Sequence, residues 1–319
     1  SDVDVLVVPH PGAEVPARAK HVEAGLALDV STIDRSELEP ADRILGTYHL
    51  AGSLRSARSI LYDPQGWLTN NQRMVEAGFD DPRWVRTRYE GAIRRIESNL
   101  RHLETAESLE ARVIGWLFAA GITTHVLLVA GLRNPTVRSR YVATRSMLAE
   151  LGHPEMYAPL IDLLDPPKCG PTWVGMYIDS LEIVFDRARH LRKTWFHFAP
   201  DISQSGRVGE IDAARELVRA GHHREAMFWI GVTAARCTLI LNTDVDDSPG
   251  ARHNKLLAEL AYGFRIKHED HVANRADELR SMIPRLRADA EALIADRQET
   301  IKRPHRFWRR GRNEIRELS

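Results

Sequence analysis

Two aspartates, Asp2 and Asp4, stand one residue apart at the start of the chain, within the run Ser-Asp-Val-Asp-Val-Leu-Val-Val. In a β-strand successive side chains alternate faces, so both carboxylates point the same way, with Cα atoms roughly 6.5–7 Å apart. A third carboxylate, Asp29, sits mid-strand in Leu-Ala-Leu-Asp-Val-Ser-Thr-Ile, flanked by apolar residues. If the two strands are neighbours, three carboxylates converge at a sheet edge. Unit charges about 4 Å apart repel by roughly 4 kcal/mol at an effective dielectric near 20, so such a cluster requires protons or cations. Two Mg²⁺ ions bridged by carboxylates suit it and suit phosphoryl chemistry. The competing reading is that Asp2 and Asp4 are the polar face of a half-exposed strand; the third Asp some 25 residues on favours the metal.

The elements that must position these groups follow from periodicity. Residues 3–8 and 26–33 read as strands, 35–45 as a short helix, and 57–62 (ARSILY) as a third strand stopped by the turn Asp63-Pro-Gln-Gly66. After Trp67 the pattern turns helical: 68–78, 82–105, 108–131, 136–151 and 155–164, then, past the loop at 165–171, 173–198, 207–220, 222–242, 251–265 and 270–298. The fold class is α+β, a small mixed sheet followed by a helical domain of about 250 residues. The divisions expected are a core at 1–68, helical blocks at 69–165 and 172–300, and a basic tail at 301–319.

Bulk properties narrow the field. The 319 residues carry 44 basic and 44 acidic side chains, so the whole chain has no bias toward polyanions. Cys169 and Cys237 cannot form a disulfide framework; they read as small buried residues, and low cysteine use suggests a reducing, cytoplasmic compartment. Residues 113–132 lack any Lys, Arg, Asp or Glu over a length that spans a bilayer. Gly115, Gly121, Thr123, Thr124 and His125 within it favour a pair of buried helices divided at Gly121-Ile-Thr-Thr124, not a membrane span. The chain opens on Ser1 without an initiator Met or signal-peptide pattern, and residues upstream are expected.

The segment Ser-Asp-Val-Asp-Val-Leu-Val-Val resembles the second half of the signature of DNA-polymerase-β-like nucleotidyltransferases, in which a Gly-Ser turn precedes an Asp-x-Asp strand and another Asp follows on a later strand. The order after it is similar to the kanamycin nucleotidyltransferase type: the Asp29 strand, an acidic helix, Tyr48–Gly52, Ile60-Leu-Tyr-Asp63, then helices, with Val126–Leu151 and its Arg138-Ser-Arg-Tyr141 also similar. The specific part covers residues 1–68. The resemblance implies transfer of a nucleoside monophosphate from a triphosphate such as ATP to a hydroxyl of a small molecule, an antibiotic or a biosynthetic intermediate, releasing pyrophosphate. Asp2 and Asp4 would hold two Mg²⁺ ions, Asp29 the one that activates the hydroxyl, and Ser1 and Asp2 would contact the nucleotide. The family's Gly-Ser turn is not in the chain, since Gly52-Ser53 follows the carboxylates; either it lies upstream of Ser1 or nucleotide binding is impaired. A helical-domain Glu serves such enzymes as general base, which points to Glu97 or, second, Glu104. A homodimer is implied by the same resemblance. The alternatives are a toxin–antitoxin-type nucleotidyltransferase acting on tRNA or protein, and a non-catalytic nucleotide-binding module.

Other residues read more plainly. Asp63 caps its own turn. His222-His223 and the His268/His271 pair lack a third ligand for zinc. Trp195–Phe198 and Met227–Trp229 read as core instead of a base-stacking platform. No G-x-S-x-G elbow or P-loop occurs. The tail at 302–312 (KRPHRFWRRGR) is a solvated terminus, with nucleic-acid docking as its functional alternative.

Overall fold

Apolar residues recur every three to four positions along most of the chain, and 68% of it is helical. The computed structural model describes residues 3–10, 12–13, 18–135, 138–164, 170–245 and 251–302. Its elements run β1 (Val3–Val7), β2 (Arg18–Glu23), β3 (Leu26–Thr32), α1 (Arg35–Leu38), α2 (Ala41–Gly46), α3 (Trp67–Gly78), α4 (Pro82–Glu104), α5 (Leu109–Ala130), α6 (Arg140–Leu151), α7 (Ala158–Asp162), α8 (Pro171–Leu191), α9 (Ala213–Arg219), α10 (His223–Asp244), α11 (Arg252–Gly263) and α12 (Glu269–Lys302). A π-helical turn at Val208–Asp212 leads into α9.

The sheet is mixed, with order β1-β3-β2: β1 pairs parallel to β3, and β2 antiparallel to it. Ala24 and Gly25, both at positive φ, make the tight turn between β2 and β3, the geometry that matches the twist of a hairpin. This overturns one expectation. Residues 57–62 are not a strand: Ala57–Ser59 is a 3₁₀ turn, and Leu61 and Tyr62 face solvent. The third strand is β2 instead. Local β-propensity at 57–62 has no partner strand to act on, whereas a charged segment finds one through the Gly25 turn.

The helices share one apolar core running from Val85 to Ile294. In α4 the buried stripe is Val85, Tyr89, Ala92, Ile93, Ile96, Leu100 and Leu103, and Asp81 starts the helix by accepting from the N–H of Arg83 at 2.8 Å. Burying each such aliphatic side chain stabilises by about 1.5–3 kcal/mol. Gly115 of α5 lies where a Cβ would sit 3.2 Å from Leu103 of α4, so the two helices meet almost backbone to backbone. A smaller cluster of Leu38, Ile44, Leu45, Leu50, Leu54 and Val75 joins α1–α3, with Val8 and Ile33 from the strand ends against it.

The expected break at Gly121–Thr124 is absent, and α5 is one helix of 22 residues. The hydroxyls of Thr123 and Thr124 donate to the carbonyls of Ala120 and Gly121, so they enter the core with their hydrogen bonds made inside the helix. Helices α5 and α10 are both long and apolar enough to cross a membrane. Both are mostly buried within the helical body, as core helices of a soluble protein are. Helix α8 ends at Leu191, short of the expected 198. The segment after it turns back under α10, with Phe196 and Phe198 packed on the core but Trp195 71% exposed, contrary to its expected burial. Met227, Phe228, Trp229 and Cys237 are buried as expected. Helix α12 is the longest, at 34 residues, and runs through Pro284.

Candidate functional site

The parallel register sets Asp4 directly beside Asp29, and the antiparallel register sets Lys20 on the other side of Asp29. Register partners on neighbouring strands project to the same face about 4.8 Å apart, so Asp4, Asp29 and Lys20 form one row across the sheet. Asp4 lies on the exposed edge strand, while Asp29 lies on the central strand and is 8% exposed. Asp2 and Ser1, with Cys169 and residues 303–319 of the basic tail, lie outside the described residues.

Sequence reasoning missed what surrounds Asp29. Arg18, two residues before Lys20 and on the same face, donates from Nε to Asp29 Oδ1 (3.0 Å) and from Nη2 to Asp29 Oδ2 (2.6 Å), a two-pronged grip. The Lys20 ammonium lies 3.2 Å from Asp29 Oδ2. The same two cations also hold Asp201. Arg18 reaches it through Nη1 (3.0 Å) and Nη2 (2.9 Å), and Lys20 Nζ lies 2.9 Å from Asp201 Oδ1. Arg236 of α10 adds a further hydrogen bond to Asp201 Oδ2 at 2.9 Å. Two carboxylates and three cations thus share one buried site between the sheet and the helical body.

Asp201 is delivered by the irregular segment between α8 and the π-turn, which is built tightly. Arg192 Nη1 donates to the carbonyl of Ala199 (2.6 Å), and the N–H groups of Lys193 and Thr194 donate to the Asp244 carboxylate. Gly206 packs so closely that a Cβ would overlap the carbonyl oxygen of Asp201. Burial would push the Asp201 carboxyl upward, but the Arg236 charge, the Arg18 hydrogen bonds and the Lys20 charge together hold it below the usual range. Burial lowers the Arg18 pKa, and the hydrogen bonds of Asp29 and Asp201 more than reverse that. Behind them Glu210, on the π-turn and fully buried, accepts from Thr233 (2.7 Å) and from Arg138 (3.2 Å). Its carboxyl is pushed up by burial, against the opposing Arg138 charge. Arg138 also lies 5.5 Å from the centre of the Trp229 ring, as does Arg236, so the charged layer continues into the core through this aromatic side chain.

The other expected residues fall elsewhere. Glu97 and Glu104 lie on α4 facing α12, where the two helices run antiparallel and are joined by Arg86–Glu291, Glu90–Arg287 and Glu104–Arg280. Arg287 is held above its ordinary value chiefly by its hydrogen bonds to Glu90, with the Glu97 charge a smaller contributor. The ladder thus uses Arg86, Glu90 and Glu104 of α4 in pairs between the two helices. Asp63, expected to cap its own turn, accepts from the N–H and hydroxyl of Thr69 in the first turn of α3 at 2.7 and 2.8 Å. His222 contacts Arg145, and the His268 and His271 rings meet edge to face 5.5 Å apart. Among the described residues no three His, Cys, Asp or Glu side chains are grouped to hold a metal.

Asp4 and Asp29 stand on neighbouring strands, but both oxygens of Asp29 are engaged by Arg18 and Lys20, so a divalent cation held there would have to displace these side chains, which already neutralise the carboxylate. The comparisons with known proteins add no constraint. No protein family's sequence profile matches the chain, and no curated protein or solved structure matches it.

Proposed function

We propose that this protein is a metal-dependent nucleotidyltransferase, moving a nucleoside monophosphate from a triphosphate to a hydroxyl of a small molecule and releasing pyrophosphate. The observation that carries the reading is the in-register pairing of Asp4 with Asp29 on adjacent strands of a small sheet set against a helical body. It brings Asp4, the second aspartate of the run that resembles polymerase-β-like enzymes, beside Asp29 on one sheet face. Mg²⁺, held by Asp4 and Asp29 together with Asp2, would supply charge neutralisation at the phosphates and lower the pKa of the attacking hydroxyl. The chain's own contribution is placement: β1 and β3 fix the two carboxylates one strand apart, and the helical body walls one side of the sheet. Glu97 stands as general base through the resemblance alone. Cytoplasmic location, a homodimer and a small-molecule acceptor belong to the same reading.

A second reading, a nucleotide-binding module without turnover, is favoured by a specific observation: both oxygens of Asp29 are engaged by Arg18 and Lys20. Calorimetric titration of ATP, GTP, CTP and UTP with and without Mg²⁺ separates the two when paired with a turnover assay. Magnesium-dependent binding of one triphosphate, lost in Asp4→Asn, supports the enzyme. Binding that neither needs Mg²⁺ nor changes in Asp4→Asn supports the module. For a tRNA acceptor, deleting residues 302–319 is expected to abolish transfer; for a small-molecule acceptor it is expected to leave transfer intact.

A further inference from the structure

We propose that the outward face of α8 is a homodimer interface, on which α8 packs antiparallel against α8 of a second copy about a two-fold axis at Ile183.

Helix α8 is apolar on two sides. One side buries Val174, Ile178, Leu181, Phe185 and Ala188 in the helical core. The other leaves Trp173, Met176, Ile183 and Leu191 exposed, with Met176 at 54% and Ile183 at 52%, and the exposed Trp195 follows just past the helix end. The other helices of more than 20 residues, α4, α5, α10 and α12, expose no large apolar side chain among their described residues. An exposed apolar stripe rimmed by charge marks contact with another molecule.

The spacing indicates what meets it. Trp173, Met176, Ser180, Ile183 and Arg187 recur at alternating steps of three and four, which is the seam one α-helix presents to another. The exposed charges on this face then select a second copy. Asp179 stands four residues before Ile183 and Arg187 four residues after it, with Lys193 further on. A two-fold axis at Ile183, perpendicular to the helix, sets Asp179 opposite Arg187 of the partner subunit, and does so twice. A parallel pairing would set like charges together. Asp179 keeps 67% of its side chain exposed beside Arg215, so it can take a second cation, whereas Asp186 is held within α8 by Arg189 at 2.8 Å. Contact along the roughly 31 Å of α8, at a helix spacing of about 8–10 Å, covers on the order of 1,000 Å² in total, enough for a specific though modest dimer. The seam makes no use of Asp4 or Asp29, so it goes beyond the nucleotidyltransferase reading, and triphosphate titration tests that reading separately.

The test is sedimentation velocity of the full chain from about 1 to 100 μM, where a species of twice 36.1 kDa is expected to grow with concentration. Met176→Asp and Ile183→Asp are each expected to raise the dimer Kd about thirtyfold or more. Leu61→Asp, at an exposed apolar site outside α8, is expected to leave it unchanged. Orientation is read by oxidative crosslinking in a Cys169→Ser background, where Cys237 is buried. Ile183→Cys is expected to crosslink to itself and Met176→Cys is not, because the antiparallel register holds the two copies of residue 176 roughly 20 Å apart. A monomer throughout the range, a dimer indifferent to both Asp variants, crosslinking at 176 or none at 183 each overturns the proposal. So does a monomer that dimerises only once residues 303–319 are deleted, which gives the face to the tail. A monomer that binds phosphatidylserine vesicles until Ile183→Asp is introduced gives the face to a membrane and equally overturns it.

Discussion

Two ionic assemblies in this molecule use the same side chains to different ends. Between α4 and α12, three Arg–Glu pairs bridge two helices on the surface, with side chains 31–48% exposed. Between the sheet and the helical body, Lys20 and Asp201 are only 5% and 4% exposed, and no pair there is independent of the others. Exposed pairs gain little, because water and salt already screen them, and they can be lost one at a time. A buried cluster is different: its charges have left water, so each relies on the rest, and removing one leaves the others uncompensated. The ladder decorates an interface that apolar packing already holds. The cluster is itself the principal polar joint between the small sheet and the large helical body.

That comparison is open to breaking. The largest effect is expected for Asp201→Ala, which leaves Arg18 and Lys20 sharing Asp29 and takes from Arg236 its carboxylate partner; urea unfolding is expected to lose about 3–5 kcal/mol. Next is Gly206→Ala, whose Cβ would overlap the Asp201 carbonyl, at about 1–3 kcal/mol on the same measurement. A double-mutant cycle on Arg86 and Glu291 is expected to give a coupling below about 1 kcal/mol that fades in 1 M NaCl, while the Arg18–Asp201 coupling is expected to be larger and to persist. Equal salt sensitivity in the two cycles would erase the distinction. Smallest of all, Glu97→Gln is expected to change stability by less than about 0.5 kcal/mol. The same variant tests the resemblance: a drop in turnover of a hundredfold or more marks Glu97 as the base, and a change under threefold leaves it a ladder charge.

Acidity sharpens the contrast further. Glu104 is held below its usual range chiefly by its hydrogen bond from Arg280, and Glu291 chiefly by Arg86. For such depressed carboxyls the contribution to stability is complete above the unfolded pKa near 4.5 and is lost as pH falls through the folded value. Glu210 has the reverse sign: its carboxyl is raised by burial, so its contribution is complete below about pH 4.5 and declines as pH rises toward the folded pKa. Glu210→Gln is expected to flatten the decline that begins above about pH 4.5, and Glu104→Gln the loss below it, as followed by thermal melts.

The sequence made the helices legible because burial imposes a period of 3.6, which α4 repeats over six turns. Strands β1 and β3 were legible for their β-branched, apolar runs, and the neighbouring placement of Asp4 and Asp29 followed from them. Strand β2 was not, since Arg-Ala-Lys-His-Val-Glu alternates charges instead of hydrophobes, and only the Gly25 turn announced it. The break foreseen at Gly121–Thr124 failed for a related reason: threonine hydroxyls can satisfy themselves on the preceding turn. Asp201 and Arg236 had no local signature, because the hydrogen bonds that give them meaning span 183 and 35 residues. The one available clue was that Arg18 and Lys20, two apart, share a face with whatever opposes them, and Asp29 opposes Lys20.

Pro284 gives the α4–α12 ladder a second significance. Proline has no N–H, so the carbonyl of Arg280 receives no main-chain donor from the residue four places on, and α12 carries a mechanical joint near its middle. Arg280 lies on one side of that joint, with Arg287 and Glu291 on the other, and all three are tied to α4, which has no proline after its first turn. The surface pairs therefore act as a splint, holding a jointed rod straight against an unjointed one. Weak as each tie is energetically, they bridge the joint from both sides, added to the apolar packing of Ile283, Leu286, Ala290 and Leu293 that already aligns α12 with the body.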